Sequence, residues 1–228
     1  MLHIDDEKFA STIFLNLQNK IKKIYIAPKI PRRLRKNFIN IDSKDLKTIE
    51  LSLKNNFFKN CSKQYLSTKK GKKDLFDHLI GRIESNRYFV IPWLDYVKPL
   101  KNSNILEIGS GTGCSTITLA EQGANVIALD IDQNALNVAK ERCKIFDLDV
   151  DFFNINATEV QKKFSRNHFD FIIFYASLEH MTLEERISSM KTTYDILPYG
   201  GLWSIIETPN RLWYYDSHTS LLPFFSWL

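Results

Sequence analysis

Residues 104–132 read NILEIGSGTGCSTITLAEQGANVIALDID, and the order of patterns within them sets the architecture of the whole second half of the chain. Asn104 to Ile108 is a short apolar run suited to a strand. Gly109-Ser110-Gly111-Thr112-Gly113 then turns the chain, and STITLAEQ takes up a helical pattern that Gly123 ends. Asn125 to Leu129 (NVIAL) is a second strand-like run, closed by Asp130. Strand, glycine turn, helix and strand in this order form the repeating unit of a parallel sheet covered by helices.

The alternation continues downstream. Asp132 is placed to cap a helix reaching Cys143, with Leu136, Ala139 and Cys143 on one face. Val150 to Ile155 supplies a third strand and Phe169 to Phe174 a fourth. Thr182 and Glu185 have capping-box spacing before a helix whose apolar stripe reads Leu183, Ile187, Met190, Tyr194 and Leu197. Gly200 and Gly201 then lead into a fifth strand, LWSIIE. The expected fold is α/β: a Rossmann-like, mostly parallel sheet with helices on both faces.

Upstream, residues 1 to about 40 mix apolar and basic side chains without a period and are broken by Pro28 and Pro31. From Ser43, Leu46, Ile49, Leu53 and Phe57 fall at helical spacing, with Ser43 or Asp45 as the cap. A second helical stretch covers residues 75–97 and should be interrupted near Pro92. The expected organisation is a basic, mainly helical extension over 1–100 and a ligand-binding domain over 101–228.

The charge is divided in the same way. Residues 1–102 hold 22 Lys and Arg against 10 Asp and Glu, and residues 103–228 hold 9 against 16. The basic foci are KIPRRLRK (29–36) and KKGKK (69–73). Such a half can attract nucleic acid, but no interleaved aromatic pattern or nucleic-acid motif accompanies it, so a solvated surface is favoured. No apolar run approaches ~18 residues and the start lacks a leader pattern, so neither a membrane span nor secretion is expected. Three cysteines without CxxC spacing argue against a disulfide framework or zinc site and fit a reducing cytoplasm.

The glycine turn is where chemistry is expected. Backbone that must turn sharply and let a ligand approach needs residues without Cβ, and the following helix start offers free N–H groups. Asp130 stands 17 residues after Gly113 at the end of the next strand, where a carboxylate can accept both hydroxyls of a ribose. A dinucleotide fingerprint would need glycine or alanine where Cys114 stands, and no G-K-[ST] follows to make a phosphate loop. Glu107 would repel a pyrophosphate and suits a cationic ammonium or sulfonium ligand.

With these residues in order, the segment resembles motif I and the acidic strand end of class I S-adenosylmethionine-dependent methyltransferases, over about Asn102 to Glu207. The resemblance implies S-adenosylmethionine as cofactor. Gly109, Ser110, Gly111 and Gly113 would line its methionine part, Glu107 would sit near its amino group, and Asp130 with Ile131 would hold the ribose. Asn156-Ala157 falls where the family often has Asp-Ala beside the adenine. Arg82 and Arg87 lie in the helix that, in this family, commonly closes over the cofactor carboxylate.

The methyl acceptor is less legible. Tyr175, Ala176, Glu179 and His180 follow the fourth strand at the expected ligand end of the sheet, and His180 is the candidate base, with Tyr175 beside it. Glu179-His180 is similar to the second half of an E-x-x-E-H metal stretch of ubiquinone-pathway enzymes. Ala176 replaces its first acid, so no metal is expected. The run Glu207 to His218 adds Arg211 to meet an anionic group, His218 as a second candidate base and aromatics to stack on a ring or sugar, and it resembles the post-strand loop of ubiquinone-type and small-molecule or glycan-modifying relatives.

The expected activity is methyl transfer to an oxygen, or a nitrogen, of a small metabolite or glycan precursor. Two alternatives are a cofactor-binding module working through a partner and an RNA-directed methyltransferase. With 21 residues after Glu207, a sixth and a seventh strand are not expected. The apolar run LLPFFSWL (221–228) calls for cover by the helical half or by a partner, a second copy included, or else marks a shortened relative of a longer enzyme.

Overall fold

The computed structural model describes residues 38–165 and 168–207. Its helices and strands in chain order are α1 (Ser43–Asn55), α2 (Lys63–Ser67), α3 (Lys69–Phe76), α4 (Arg82–Ser85), α5 (Ile91–Val97), β1 (Asn104–Ile108), α6 (Cys114–Ala120), β2 (Asn125–Asp130), α7 (Gln133–Ile145), β3 (Val150–Asn154), α8 (Val160–Lys163), β4 (Phe171–Tyr175), α9 (Leu183–Ile196) and β5 (Leu202–Ile206). Every expected strand is present, with bounds shifted by up to two residues. The strands form one parallel sheet in the order β3-β2-β1-β4-β5.

That order reverses between β1 and β4. In an open parallel sheet, such a reversal leaves a crevice beyond the C-terminal strand ends because the two connections depart to opposite faces. Here those ends are Ile108 and Tyr175, so the topology alone puts Gly109 and Ala176 at the mouth of the crevice.

Side chains alternate across the sheet and separate two apolar layers. Ile105, Val126, Phe171 and Ile173 pack with Ile91, Leu94 and Leu119 from α5 and α6. Leu106, Ile108, Ile172 and Phe174 face the other way, toward Val160 and Ile196 of α8 and α9. Helices therefore cover both faces. A third cluster joins α1 and α4 to α6 and α7 through Ile49, Leu53, Ile83, Ile117, Val138 and Phe146. The helices over 43–97 are thus packed into the same core as the glycine-turn unit.

Three local expectations are corrected. The cap of α1 is Asp42, whose carboxylate accepts from the amides of Lys44 and Asp45, rather than Ser43 or Asp45. The chain does not leave the helix at Pro92. Two π-turns, Asp77–Gly81 and Asn86–Val90, connect α3, α4 and α5, and Pro92 enters in the first turn of α5, where a missing N–H costs little.

The third correction concerns α9, whose expected apolar stripe is split. It leaves Leu183, Ile187 and Tyr194 more than half exposed and buries Ser189, Thr193 and Ile196 instead. Thr193 can face the interior because its hydroxyl donates to the Ser189 carbonyl at 2.7 Å. The capping box of Thr182 and Glu185 is present as expected. The arm expected over the first residues, and the stretch after Glu207 to which the expectation about a sixth and seventh strand applies, lie outside the described residues.

One buried ion pair ties the segment before α1 to the core. Arg87 donates to both carboxylate oxygens of Glu121, at 2.8 and 2.6 Å, and to the Ile39 carbonyl at 2.9 Å, while the Ile39 amide donates to Glu121 at 3.1 Å. Burial raises the Glu121 carboxyl despite the Arg87 bonds that oppose it. Removing one partner should therefore strand a charge. Arg87→Met is expected to cost about 3–5 kcal/mol in denaturant unfolding, and Arg87→Met with Glu121→Gln to recover most of it.

Candidate functional site

The loop after β1 is held open by three residues in the left-handed region: Gly109, Gly111 and Gly113, with φ of 80°, 53° and 81°. They are not equivalent. A Cβ on Gly109 would lie 2.4 Å from the Cβ of Ser177, and one on Gly113 would lie 2.9 Å from the Cα of Ala139 in α7. Both glycines are demanded by close neighbours. Among the described residues a Cβ on Gly111 would meet nothing within 4 Å, so there the missing side chain leaves free space beside the backbone.

Asp130 closes the loop from the next strand. Its Oδ2 accepts from the Gly111 amide at 2.7 Å and its Oδ1 from the Asp132 amide at 2.8 Å. Burial raises its pKa while these amide bonds lower it, and burial prevails. Each carboxylate oxygen retains a second lone pair, so the group can still accept two hydroxyls.

A cavity of about 400 Å³ opens over this loop. Gly109, Ser110, Gly111, Asp130, Ile131, Asn156, Ala157, Tyr175 and His180 all line it, so nine of the sequence-derived candidates converge on one space. Ile108, Leu129 and Ile155 contribute apolar surface. The side-chain oxygen of Asn156 is engaged with the Thr158 amide at 2.9 Å and the Thr158 hydroxyl at 3.0 Å. Two hydroxyls in the lining, those of Ser110 and Ser177, are buried and have no hydrogen-bond partner among the described residues. Orphaned polar atoms at a cavity wall are atoms that a polar ligand would satisfy.

Glu107 and Gly113 lie behind the cavity rather than in its lining. Glu107 is fully buried on the α6 side of β1, where it accepts from the hydroxyls of Ser115 and, at 2.6 Å, Thr116. Burial outweighs these two bonds and pushes its pKa up to about 7. His218 and Arg211 are outside the described residues.

Tyr175 and His180 differ in character. The Tyr175 hydroxyl is within bonding reach of the Asn86 side-chain oxygen and of Glu207 Oε1, the latter at 3.1 Å. Burial, then the charge and hydrogen bond of Glu207, push its pKa far up, so it stays protonated. His180 ends a short 3-10 turn, with its side chain 74% exposed and its Nε2 4.0 Å from Glu179. It can meet a group entering from solvent.

The opposite wall is built by the helices over 43–97 and was largely missed from sequence. Phe57, His78, Arg82 and Asn86 line the cavity. Residues 78, 82 and 86 are four apart, and π-turns wind more residues per turn than the α-helical 3.6, which keeps such a series on one face. That polar series was the available signal. His78 packs against Phe57 with ring centroids 4.5 Å apart and planes tilted by 41°, and its Nδ1 lies 3.2 Å from Thr112 Oγ1. Burial, followed by the charges of Arg82 and Arg142, pushes its pKa down to about 3, so its imidazole is neutral. Of the two helix arginines raised from sequence, Arg82 reaches the cavity while Arg87 is spent on Glu121.

A glycine turn, an acidic strand end and a cavity at a switch point define a Rossmann-like domain for a nucleoside-bearing ligand. Comparison with known proteins makes this specific. Residues 105–201 match the family described as "Methyltransferase domain", a likeness that agrees with the fold and with the glycine loop.

The chain is 28% identical over 127 residues to a release factor glutamine methyltransferase of Flavobacterium psychrophilum, covering 55% of this chain and 42% of that one. It is also 28% identical over 114 residues to a ubiquinone biosynthesis O-methyltransferase of Ruegeria pomeroyi, covering 50% and 44%. The crystal structure of the PH0226 protein from Pyrococcus horikoshii shares the fold, with a TM-score of 0.52, 22% identity and coverage of 68% of this chain and 63% of that one. The chain spans about two fifths of the length of the curated relatives it matches.

Glu107 provides a test of the interior beneath the loop. Its folded pKa of about 7 exceeds the ordinary 4.5, so the folded state holds the proton more tightly than the unfolded chain. The stability this contributes is complete below about pH 4.5 and is lost as pH rises through about 7, roughly 3 kcal/mol in all. Thermal unfolding of Glu107→Gln between pH 4.5 and 8 should lack this fall, whereas the wild type shows it.

Proposed function

We propose that this chain transfers a methyl group from S-adenosylmethionine to an oxygen of a small acceptor, a metabolite or glycan precursor. The observation that carries the reading is the convergence of Asp130, the open side of Gly111, the two orphaned serine hydroxyls and His180 on one cavity. The fit to the cofactor is chemical. Asp130 has acceptor capacity for a pair of ribose hydroxyls. Ile131, Ile155 and Ala157 offer apolar contact for a base. Ser110 and Ser177 can satisfy polar atoms of the methionyl part. When bound, S-adenosylmethionine supplies an electrophilic methyl on a sulfonium.

The remaining work belongs to the protein. His180 takes the proton of the acceptor hydroxyl at its ring nitrogen, and its exposure lets that proton leave to solvent. Tyr175, kept protonated and directed at Asn86 and Glu207, shapes the cavity wall rather than acting as a base. The wall of Phe57, His78 and Asn86 fixes the approach and excludes water, so the main rate contribution is positioning. The mixed relatives, one named for glutamine and one as an O-methyltransferase, support the transfer chemistry and leave the oxygen acceptor as our reading.

Calorimetry with S-adenosylmethionine, S-adenosylhomocysteine and NAD tests the cofactor. Wild type should bind both sulfur ligands and not NAD. Asp130→Ala should weaken binding about 100-fold. Gly111→Ala should unfold within about 2 kcal/mol of wild type, since only the left-handed backbone is penalised, yet lose binding because its methyl occupies the ligand's side. A folded wild type that binds neither sulfur ligand overturns the reading. Once an acceptor is found by screening, His180→Gln should lower kcat with KM for the cofactor unchanged.

A further inference from the structure

Arg142 of α7 is fully buried, yet it forms no ion pair among the described residues. Its guanidinium is spent on backbone: Nε donates to the Thr112 carbonyl at 2.9 Å, Nη1 to the Leu79 carbonyl at 3.0 Å and Nη2 to the His78 carbonyl. Burying a cation without an anion is costly, and that cost is offset here only by well-placed carbonyl dipoles. The three carbonyls come from two walls of the cavity. Thr112 belongs to the glycine loop, and His78 and Leu79 belong to the π-turn Asp77–Gly81.

The same walls touch a second time, because the His78 ring meets the Thr112 hydroxyl at 3.2 Å. Cys114 adds a weaker bond from its Sγ to the His78 carbonyl at 3.4 Å. His78 and Thr112 are therefore joined through side chains on the cavity side and through Arg142 behind it. A π-turn is wider than an α-turn, and its relaxation to i→i+4 bonding would rotate His78 relative to Arg82. A guanidinium with a fixed fork can hold both carbonyls of the π-turn and the loop carbonyl at once, which a lysine cannot.

We infer that Arg142 is a positioning residue that locks the π-turn wall to the glycine loop and so sets the width of the cofactor cavity. The inference rests on the proposed cofactor, but the latch itself is a property of the chain alone. It acts through His78 and Thr112 and touches no ligand.

The test compares wild type, Arg142→Lys and Val126→Ala, the last a core truncation in β2 away from the cavity. S-adenosylhomocysteine affinity, hydrogen exchange and melting temperature are measured on each. Arg142→Lys should bind S-adenosylhomocysteine at least about tenfold more weakly, since two charge-assisted bonds are lost. Its faster exchange should be confined to residues 77–86 and 110–113. Val126→Ala should melt lower yet bind within about twofold of wild type.

Equal affinity loss in the two variants, or exchange rising uniformly in Arg142→Lys, would overturn the latch. If Arg142→Lys does not fold, the wild type decides. An Arg142 Nε–H resonance that is slow to exchange and shifts on S-adenosylhomocysteine addition supports the latch, and one in rapid exchange with water sinks it. If wild type binds no S-adenosylhomocysteine, the cofactor reading fails, and the exchange pattern of the variants without added ligand still decides on Arg142.

Discussion

Between β1 and α6 the chain must reverse within five residues while two other segments press against it. Ser177 from the β4 turn crowds Gly109, and Ala139 from α7 crowds Gly113, each closer than any Cβ could tolerate. This double contact is the steric constraint on which the domain turns. It fixes the distance from β1 to β4 at the switch point and from α6 to α7 behind it. With both flanks fixed, Asp130 needs only the Gly111 amide to hold the middle of the loop, and the glycine of the loop without a crowding neighbour is left facing the cavity.

The second wall depends on a different kind of bond. The helices over 43–97 bury Ile49, Leu53 and Ile83 against α6 and α7, but apolar contact is non-directional and would allow the wall to slide. Direction comes from polar atoms: Arg87 on Glu121 at one end, Arg142 on the π-turn carbonyls at the other. Lys59 adds a surface bond to Asn134 at 2.8 Å. Each arginine joins the wall to the glycine-turn unit, so the cavity is bounded by elements far apart in sequence yet held in register.

Much of this was legible from residue pattern because the signals were local. Strand runs ended by Asp130 and Tyr175, and the capping box at Thr182, depend on near neighbours alone, and each appears within two residues of its expected place. What failed depended on distant partners. The stripe of α9 has the right period, but tertiary packing chose the face with Ser189 and Thr193, whose small side chains permit close approach. Pro92 carries a breaker's signature, yet the π-turn before it absorbs the break. His78 belongs to no known motif, only to the four-apart polar series with Arg82 and Asn86. It becomes a cavity residue because Arg142, 64 positions later, holds its carbonyl.

Glu107 and Asp130 end on opposite sides of the same loop, and the contrast shows how the site separates stability from binding. Both are acids raised by burial. Glu107 faces inward, with two hydroxyl donors and no outlet to the cavity, so its charge state is coupled to the fold. Asp130 faces outward, takes backbone amides as donors and keeps lone pairs free, so its charge is available to a ligand. A sequence shows two acidic strand residues flanking a glycine loop, and charge alone would assign both to the cofactor. The pleat decides otherwise: β1 turns residue 107 toward α6, while the end of β2 turns residue 130 into the crevice, and a carboxylate can hold a ligand only where its second lone pairs are not already enclosed.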